Sequence, residues 1–293
     1  MFSKQKAPKE PKRKTVLHIM LYAFLVIALL AALFAGYVIY TNSTFQVEFY
    51  QVESTHVHSN LRIIFLSDVH LKEYGENNEK LISKIEALSP DLILCGGDLV
   101  TYPNENFDNM LALVSRLSGI APLYGCTGNH EDELTYLNGV TDLPQRFKDA
   151  GLDLLLNETR QITIGNNEVE IVGISGGPDL FGLYGAKEHM DSLGENSSRF
   201  RIVLAHVPIL FKNELAPYDF DLGLAGHTHG GIANLPKIGG LYTSEEGLLP
   251  EVYAGLYTFE GKPLIVSRGL GDSSPVPRIN TPHELSVIDV KWY

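Results

Sequence analysis

The stretch Leu61-Arg-Ile-Ile-Phe-Leu-Ser-Asp-Val-His70 decides how this chain folds. Its first six residues form a short apolar run rich in β-branched and aromatic side chains, which is typical of a buried strand. Asp68 and His70 lie just past the end of that run. The stretch therefore predicts a core strand that carries two polar side chains at its carboxyl end.

Four later segments repeat this arrangement of an apolar run followed by polar residues. The runs and the residues after them are 91–95 with Gly97-Asp98, 122–126 with Gly128-Asn129-His130-Glu131, 201–205 with His206, and 221–225 with Gly226-His227-Thr228-His229. Open α/β sheets bind ligands beyond the carboxyl ends of their strands. The five strands together therefore predict one site along a sheet edge.

Apolar residues at helical spacing separate the first three of these strands. They are Leu81, Ile82, Ile85 and Leu88 before Pro90, and Phe107, Met110, Leu111, Val114 and Leu117 before Gly119. Strand–helix–strand alternation predicts an α/β domain that starts with a parallel sheet. From about residue 161 the chain is richer in strand patterns, and a hairpin turn is predicted at Asn166-Asn167.

The polar residues after the strands are nitrogen and oxygen donors, and no thiolate is among them. This donor set suits Mn²⁺, Fe or Zn²⁺ better than Mg²⁺ or Ca²⁺, which prefer oxygen ligands alone. A single Gly-Asp pair would mean little, because turn chemistry alone explains it. Five such blocks in one chain favour a metal site.

The ordered set resembles the calcineurin-like metallophosphoesterase superfamily, whose pattern is D-x-H, GD, GNH-[DE], H and GH-x-H. All five elements occur in that order between residues 68 and 229. An N-terminal apolar segment and the sequences LSDVHL (66–71), GHTHGG (226–231) and VSRGLG (266–271) are similar to those of bacterial membrane-associated YkuE/YaeI-like phosphoesterases. The resemblance implies an α/β fold, a four-layer α/β/β/α sandwich preceded by one N-terminal transmembrane helix.

The resemblance also implies a role for each residue of the pattern. One ion would be held by Asp68, His70 and His229, the second by Asn129, His206 and His227, and Asp98 would bridge both. Two divalent ions per chain, Mn²⁺ with Zn²⁺ or Fe as alternatives, would acidify a bridging water and clamp the phosphate oxygens. His130 would be the catalytic general acid or the electrostatic partner of the leaving oxygen.

Two further positions bear on catalysis. Some branches of the superfamily carry a second acid three residues after the bridging one, where it orients the catalytic histidine. That position is Thr101 here, so a proton-donor role of His130 lacks this carboxylate. Arg268 is a candidate substrate-binding residue, because guanidinium groups bind phosphate through two parallel hydrogen bonds. A structural ion pair is the alternative for Arg268.

Four other residues lie near or outside the pattern. Cys95 and Cys126 each precede a ligand position by three residues, and we expect buried apolar side chains there rather than a disulfide bridge. His56 and His58 are two residues apart, and we expect them on the exposed face of a strand.

The N-terminal region predicts a membrane anchor. Residues 16–40 contain no Asp, Glu, Lys or Arg, and as a helix they would span about 37 Å, enough for a hydrocarbon core of about 30 Å. We predict a basic tail over 1–15, a transmembrane signal-anchor helix over 16–40, a linker over 41–59 and a phosphoesterase domain over 60–293. A cleavable signal peptide is the alternative, although its apolar part would be shorter.

Charge is divided unevenly along the chain. Six basic residues against one Glu give the first 15 residues a net charge of +5, and because the whole chain carries −12 the remainder carries −17. The positive-inside rule then predicts a single-pass cell-membrane protein with a cytoplasmic N-terminus and an extracytoplasmic catalytic domain. An acidic domain argues against binding nucleic acid. No protein partner can be inferred.

These features predict a membrane-anchored, metal-dependent phosphodiesterase or phosphomonoesterase. Because the connection from 132 to 160 is too short for a lid, an open site near a membrane favours a phosphorylated lipid, a wall intermediate or a small phosphoester as substrate. One alternative is a pyrophosphatase cleaving a UDP-linked acylated glucosamine, a substrate of the cytoplasmic face. The other is a non-catalytic metal-binding envelope protein, which would usually lack a ligand.

Overall fold

A computed structural model of the chain describes residues 13–176, 185–195 and 198–293. It begins with helix α1 (Arg13–Ser43), in which Thr15–Ser43 has a mean hydropathy of 2.6 and is long and apolar enough to cross a membrane. The described residues divide into two compact units at the junction between Tyr40 and Thr41. Apart from its last three residues, the predicted basic tail lies outside the described part of the chain.

The first sheet of the second unit has six strands. In spatial order, with numbers following the chain, they are β1 (Phe45–Ser54), β16 (His283–Trp292), β2 (Leu61–Leu66), β3 (Leu92–Cys95), β4 (Leu123–Gly125) and β5 (Asp153–Leu154). Strands β2 to β5 run parallel, as predicted for the start of the domain. Its helices are α2 (Glu79–Leu88), α3 (Asp108–Ser118), α4 (Asn129–Tyr136) and α5 (Leu143–Asp149).

The second sheet also has six strands. In spatial order they are β14 (Gly255–Phe259), β15 (Lys262–Val266), β9 (Leu222–Ala225), β8 (Phe200–Ala205), β7 (Asn167–Ile174) and β6 (Glu158–Ile164). Helix α6 (Ala186–Ser192) and a π-helical turn at Phe211–Leu215 accompany it. Two small hairpins follow β9, namely β10 (Asn234–Leu235) with β11 (Gly239–Gly240) and β12 (Tyr242–Thr243) with β13 (Gly247–Leu248).

Three hydrophobic clusters hold these layers together. Strand β2 contributes to two of them, because Ile63 and Phe65 pack between the sheets while Ile64 and Leu66 pack against α2, α3 and α5. A strand buried on both faces reads as a continuous apolar run, which explains its sequence. The third cluster joins the outer face of the second sheet to α6 and the π-helical turn. The order is therefore helix, sheet, sheet, helix, which confirms the α/β/β/α architecture.

Most elements predicted from apolar patterns are confirmed. The five strands of the motif blocks form within one residue of their predicted ends, and both predicted helices form where expected. Cys95 and Cys126 are buried free thiols, as predicted, and burial raises the pKa of both.

Four predictions need correction. The five strands belong to two sheets, so the site lies where two sheet edges meet rather than along one. The predicted linker over 41–59 contains β1, whose ten residues all pair with β16. The β6–β7 turn is Gly165-Asn166, because Asn167 already pairs with Ile164 and is buried. His56 and His58 follow β1 in a turn, where His56 contacts Asp221 at 2.8 Å.

Candidate metal centre

The residues of the motif blocks converge from the carboxyl ends of five strands. Asp68 and His70 follow β2, Asp98 follows β3, Asn129 and His130 begin α4 after β4, His206 follows β8, and His227 and His229 follow β9. The first three strands lie in one sheet and the last two in the other. The two sheets therefore contribute from both sides to a single group of side chains.

Asp68, His70 and His229 offer ligand atoms that all lie within 4.8 Å of one another. Nε2 of His229 is 3.8 Å from Oδ1 of Asp68, and the rings of His70 and His229 stack at 5.1 Å. Nε2 of His70 is buried and has no hydrogen-bond partner. A buried ring nitrogen without a partner is costly, so this position fits a bound cation.

Asp98, His206 and His227 form a second such group. Nδ1 of His206 donates to the carbonyl of Gly96 at 2.7 Å, so in the neutral ring the lone pair is on Nε2, which faces the site. Nδ1 of His227 lies 3.1 Å from this Nε2. Two facing nitrogen lone pairs require a proton or a cation between them. Oδ1 of Asn129 is also buried without a partner, as an oxygen ligand would be.

Asp98 connects the two groups. Its Oδ2 is 3.6 Å from Nε2 of His70 and 3.2 Å from Nε2 of His206, while its Oδ1 accepts the backbone N–H of His130 at 2.9 Å. One carboxylate oxygen thus faces a histidine of each group. This geometry is compatible with the bridging role that the family resemblance implies for Asp98.

The electrostatics of the buried groups favour positive charge at the centre. Burial opposes ionisation of Asp98, but His206 and His70 hold its pKa well below its usual value. Although burial disfavours the imidazolium, the Asp98 carboxylate raises the pKa of His206 to about 10. Burial lowers the pKa of His229 to about 3, against the attraction of Asp68. A cation that binds at His206 must therefore displace a proton.

His130 lies beside the two groups, and its ring offers a ligand atom within 4.8 Å of those of His70 and Asp98. Its Nδ1 accepts the backbone N–H of Tyr102 at 3.0 Å, so the neutral ring carries its proton on Nε2. Nε2 is 3.9 Å from Oδ2 of Asp98 and directs this N–H toward the centre. Thr101, at the position of the second acid in other branches, instead contacts Nδ1 of His70 at 3.2 Å. A backbone donor therefore orients His130 in place of an accepting carboxylate.

Glu131 has a structural task that the sequence did not assign. Its buried carboxylate accepts four backbone N–H groups, those of Asp98, Leu99, Val100 and Gly128, at 2.7 to 3.1 Å. It thereby ties the Asp98 turn to the start of α4. Glu131 is the last residue of the GNHE motif, and this position is the feature of the sequence that could have identified it.

Close backbone approach explains two glycines of the motif. A Cβ atom at Gly226 would lie 1.8 Å from Oγ of Ser67 and 2.3 Å from Oδ2 of Asp68. A Cβ atom at Gly128 would lie 2.2 Å from Oδ1 of Asp98. Both positions need glycine because any side chain would displace a predicted ligand.

Three residues near the centre lie outside every motif block. Arg278 is buried and donates to Nδ1 of His229 at 2.9 Å and to Asp272 at 2.8 Å. Glu245 and Ser244 contact Nε2 of His227 from the β12–β13 hairpin. An isolated Arg, Glu or Ser has no distinguishing spacing, so none of the three could be identified from the sequence.

Arg268 lies in an ion-pair network. Its guanidinium donates to Glu284 at 2.7 Å and contacts Glu48 at 3.4 Å. This corresponds to the structural alternative for Arg268. A phosphate-binding role stays a prediction.

The centre opens into a cleft of about 890 Å³. Asp98, Asn129, His130, His227 and His229 lie along it. Its lining also includes the apolar side chains of Val207, Ile209, Ile232 and Tyr242. The cleft is thus polar at the ligand groups and partly apolar elsewhere, as an amphipathic ligand would require.

Comparison with known proteins gives consistent matches. Residues 61–231 match the family model described as calcineurin-like phosphoesterase. The chain is 32% identical to Phosphodiesterase YaeI of Escherichia coli, with 78% of this chain and 82% of that protein covered. It is 30% identical to an uncharacterized metallophosphoesterase of Campylobacter jejuni, with 84% of this chain and 63% of that protein covered. It is also 27% identical to the uncharacterized metallophosphoesterase YkuE of Bacillus subtilis, with 80% and 81% covered.

The family match spans the strands that carry the metal groups, so homology and geometry concern the same residues. A non-catalytic metal-binding protein is the weaker alternative, because every candidate ligand is present and the aspartates and histidines among them lie in groups. The chain belongs to the calcineurin-like phosphoesterase family and is a metal-dependent phosphoester hydrolase.

Proposed function

We propose that this hydrolase is membrane-anchored, works with two divalent cations, and cleaves phosphate esters of lipids or other envelope components. Asp68, His70 and His229 would bind one cation. Asn129, His206 and His227 would bind the other, and Asp98 would lie between them. The name of the Escherichia coli relative favours diesters over monoesters.

The observation that carries this proposal is the shared carboxylate of Asp98. Its Oδ2 lies within 3.6 Å of a histidine Nε2 in each group, and one of these nitrogens, on His70, is buried without a partner. An anion between two cations reduces their mutual repulsion. A single-ion site would leave one of the two groups without a cation.

The chain's own residues have separable tasks in catalysis. When bound, the cations would polarise the phosphoryl oxygens and make a water molecule more acidic. Glu131 would keep Asp98 in place through the four backbone hydrogen bonds that it accepts. The Nε2–H of His130 would donate a hydrogen bond to an oxygen of the reacting phosphate, where negative charge increases in the transition state.

The membrane proposal is supported by α1, which is long and apolar enough to span a bilayer. With the basic tail cytoplasmic, the catalytic domain would be extracytoplasmic. Protease digestion of a C-terminal tag in intact and in lysed cells tests this. Digestion only after lysis would place the domain in the cytoplasm, where the UDP-linked substrate of the pyrophosphatase alternative is found.

The lipid proposal is supported by exposed apolar residues in the two hairpins after β9. They are Leu235, Ile238, Tyr242, Leu248 and Leu249, and Leu248 is 78% exposed. Tyr242 also lines the cleft. Grouped exposed apolar side chains commonly mark contact with a ligand or a membrane. We propose that the hydrocarbon part of a lipid substrate contacts these hairpins.

The catalytic part is tested with metal-stripped, full-length protein in detergent. Hydrolysis of bis-p-nitrophenyl phosphate or p-nitrophenyl phosphate should appear with Mn²⁺ and disappear with a chelator. Asp98→Asn should reduce the bound metal from two equivalents and abolish turnover of every substrate. Absence of activity with Mn²⁺, Zn²⁺, Fe²⁺, Co²⁺ and Ni²⁺ would contradict the proposal.

The lipid part is tested with a panel of phosphorylated lipids and wall intermediates in mixed micelles. Replacing Leu248 and Leu249 together by serine should lower kcat/KM for a lipid ester by about tenfold, because apolar contact area is lost. Hydrolysis of a water-soluble diester should be unchanged. Leu137→Ser is the control, because this leucine lies in neither hairpin and its exposed fraction of 68% falls between those of Leu248 (78%) and Leu249 (59%). Equal losses on both substrates would contradict lipid contact at the hairpins.

A further inference from the structure

The hairpin β12–β13 brings an acidic side chain to one of the predicted metal ligands. Glu245 lies in the turn of this hairpin, and its Oε1 is 2.5 Å from Nε2 of His227. Oγ of Ser244 is 3.0 Å from the same nitrogen and 2.9 Å from Oε2 of Glu245. The side chain of His227 is 12% exposed and that of Glu245 is 25% exposed, so the hydrogen bond is partly shielded from water.

This contact determines which nitrogen of His227 carries the proton. A carboxylate can only accept a hydrogen bond, so Nε2 of His227 must be the donor. In the neutral ring Nδ1 is then unprotonated, and it is Nδ1 that lies 3.1 Å from Nε2 of His206. Nδ1 therefore presents a lone pair to the group formed by Asp98, His206 and His227.

We propose that Glu245 is a positioning residue that fixes the tautomer and orientation of His227 and so sets the affinity of the second cation. This inference rests on the two-cation proposal made above. Carboxylates that bind the distal nitrogen of a metal-binding histidine orient the ring and increase its basicity. The first cation group, Asp68 with His70 and His229, has no contact with Glu245 among the described residues.

The location of Glu245 adds a consequence for this chain. Its neighbours Tyr242 and Leu248 pair across the same hairpin and are exposed apolar residues. The hairpin proposed to contact the lipid thus also carries the group that holds His227. A change in the conformation of this hairpin would therefore move Glu245 and alter the affinity of the second cation.

The test compares Mn²⁺ binding to metal-stripped, full-length protein in detergent by equilibrium dialysis and elemental analysis. Glu245→Ala should weaken one of the two ions by about 10–100-fold and leave the other at the wild-type affinity. Glu245→Gln keeps an accepting oxygen and should restore most of the lost affinity. Glu251→Ala is the matched control, since that exposed carboxylate pairs with Lys212 and lies in neither metal group.

A further variant identifies the ion concerned. In His206→Asn, which lacks a ligand of the second group, the remaining ion should not respond to Glu245→Ala. The inference is overturned by any of three results. In the first, Glu245→Ala binds both ions with wild-type affinity; in the second, it loses affinity for both ions equally; in the third, Glu245→Gln binds Mn²⁺ as weakly as Glu245→Ala. A wild type that binds one ion overturns the two-cation proposal as well, whereas an insensitive Glu245 with two bound ions overturns this inference alone.

Discussion

Replacing His130 by asparagine should slow hydrolysis of an alkyl phosphodiester and of bis-p-nitrophenyl phosphate by similar factors, without loss of bound metal. The reason is the hydrogen bond from the backbone N–H of Tyr102 to Nδ1 of His130. Because Nδ1 is already an acceptor, a second proton on the ring would have to break this bond. We therefore expect His130 to act as a neutral donor through Nε2, with a hydrogen bond that does not depend on how well the leaving group carries charge.

The expected size of the effect is that of one donor removed from developing negative charge. Loss of such a donor typically costs about 10²–10³ in kcat, or roughly 2.7–4 kcal/mol. The side chain of Gln is longer than that of Asn and brings its amide N–H closer to the position of Nε2. His130→Gln should therefore recover part of this loss. Since the His130 ring belongs to neither cation triad proposed here, both variants should keep two equivalents of metal.

The assay measures kcat on the two esters for wild type and both variants, alongside metal content by elemental analysis. A general acid would assist the alkyl ester far more, because p-nitrophenolate leaves without protonation. A loss on the alkyl ester that exceeds the loss on the nitrophenyl ester by about tenfold or more would therefore refute the neutral-donor argument and restore proton transfer from His130.

Three other predictions concern the framework. Gly226→Ala should bind less metal and lose activity, because its methyl group would lie 2.3 Å from Oδ2 of Asp68; full activity would show that the turn can move. Asp289→Asn should destabilise the protein by about 1 kcal/mol at pH 7, since the hydrogen bonds from Arg62 lower the pKa of Asp289. A lowered pKa means that this stability is fully present above the unfolded-state pKa of about 3.9 and is lost as the pH falls from there through the lower folded-state pKa, so urea titrations should differ at pH 7 and converge in acid. Chelation should lower Tm, because a ligand at a hundred times its Kd stabilises the folded state by about 2.7 kcal/mol; an unchanged Tm would argue against binding of the ions to the folded protein.

The sequence was most informative where a strand is buried on both faces. Strand β2 is apolar at every position but Arg62. The apolar run therefore identifies the strand, and the end of the run locates Asp68. The order of the motif blocks then identified the groups that the structure brings together. Their assignment to two sheets did not follow from periodicity, because parallel strands of either sheet have the same local pattern.

The sequence was least informative where two paired strands lie far apart along the chain. Strand β1 alternates exposed and partly buried residues over most of its length, and its partner β16 begins at His283, so no local pattern joins Phe45 to His283. Glu245 and Arg278 were missed for a similar reason. Each reaches a ligand histidine from a loop, and only the folded chain places a lone charged side chain beside it.

The backbone of the centre is held in an uncommon conformation by hydrogen bonds within the chain. Positive φ angles occur at Asp68 (50°), His70 (50°), Asp98 (53°), His227 (69°) and His229 (48°). A non-glycine residue in this region typically costs about 1–3 kcal/mol and persists only where its surroundings enforce it. Here Glu131 binds the turn at Asp98, and Asp68 accepts the backbone N–H of His227 at 2.9 Å. These two hydrogen bonds hold the backbone at Asp98 and His227 in the conformation that presents both side chains to the centre.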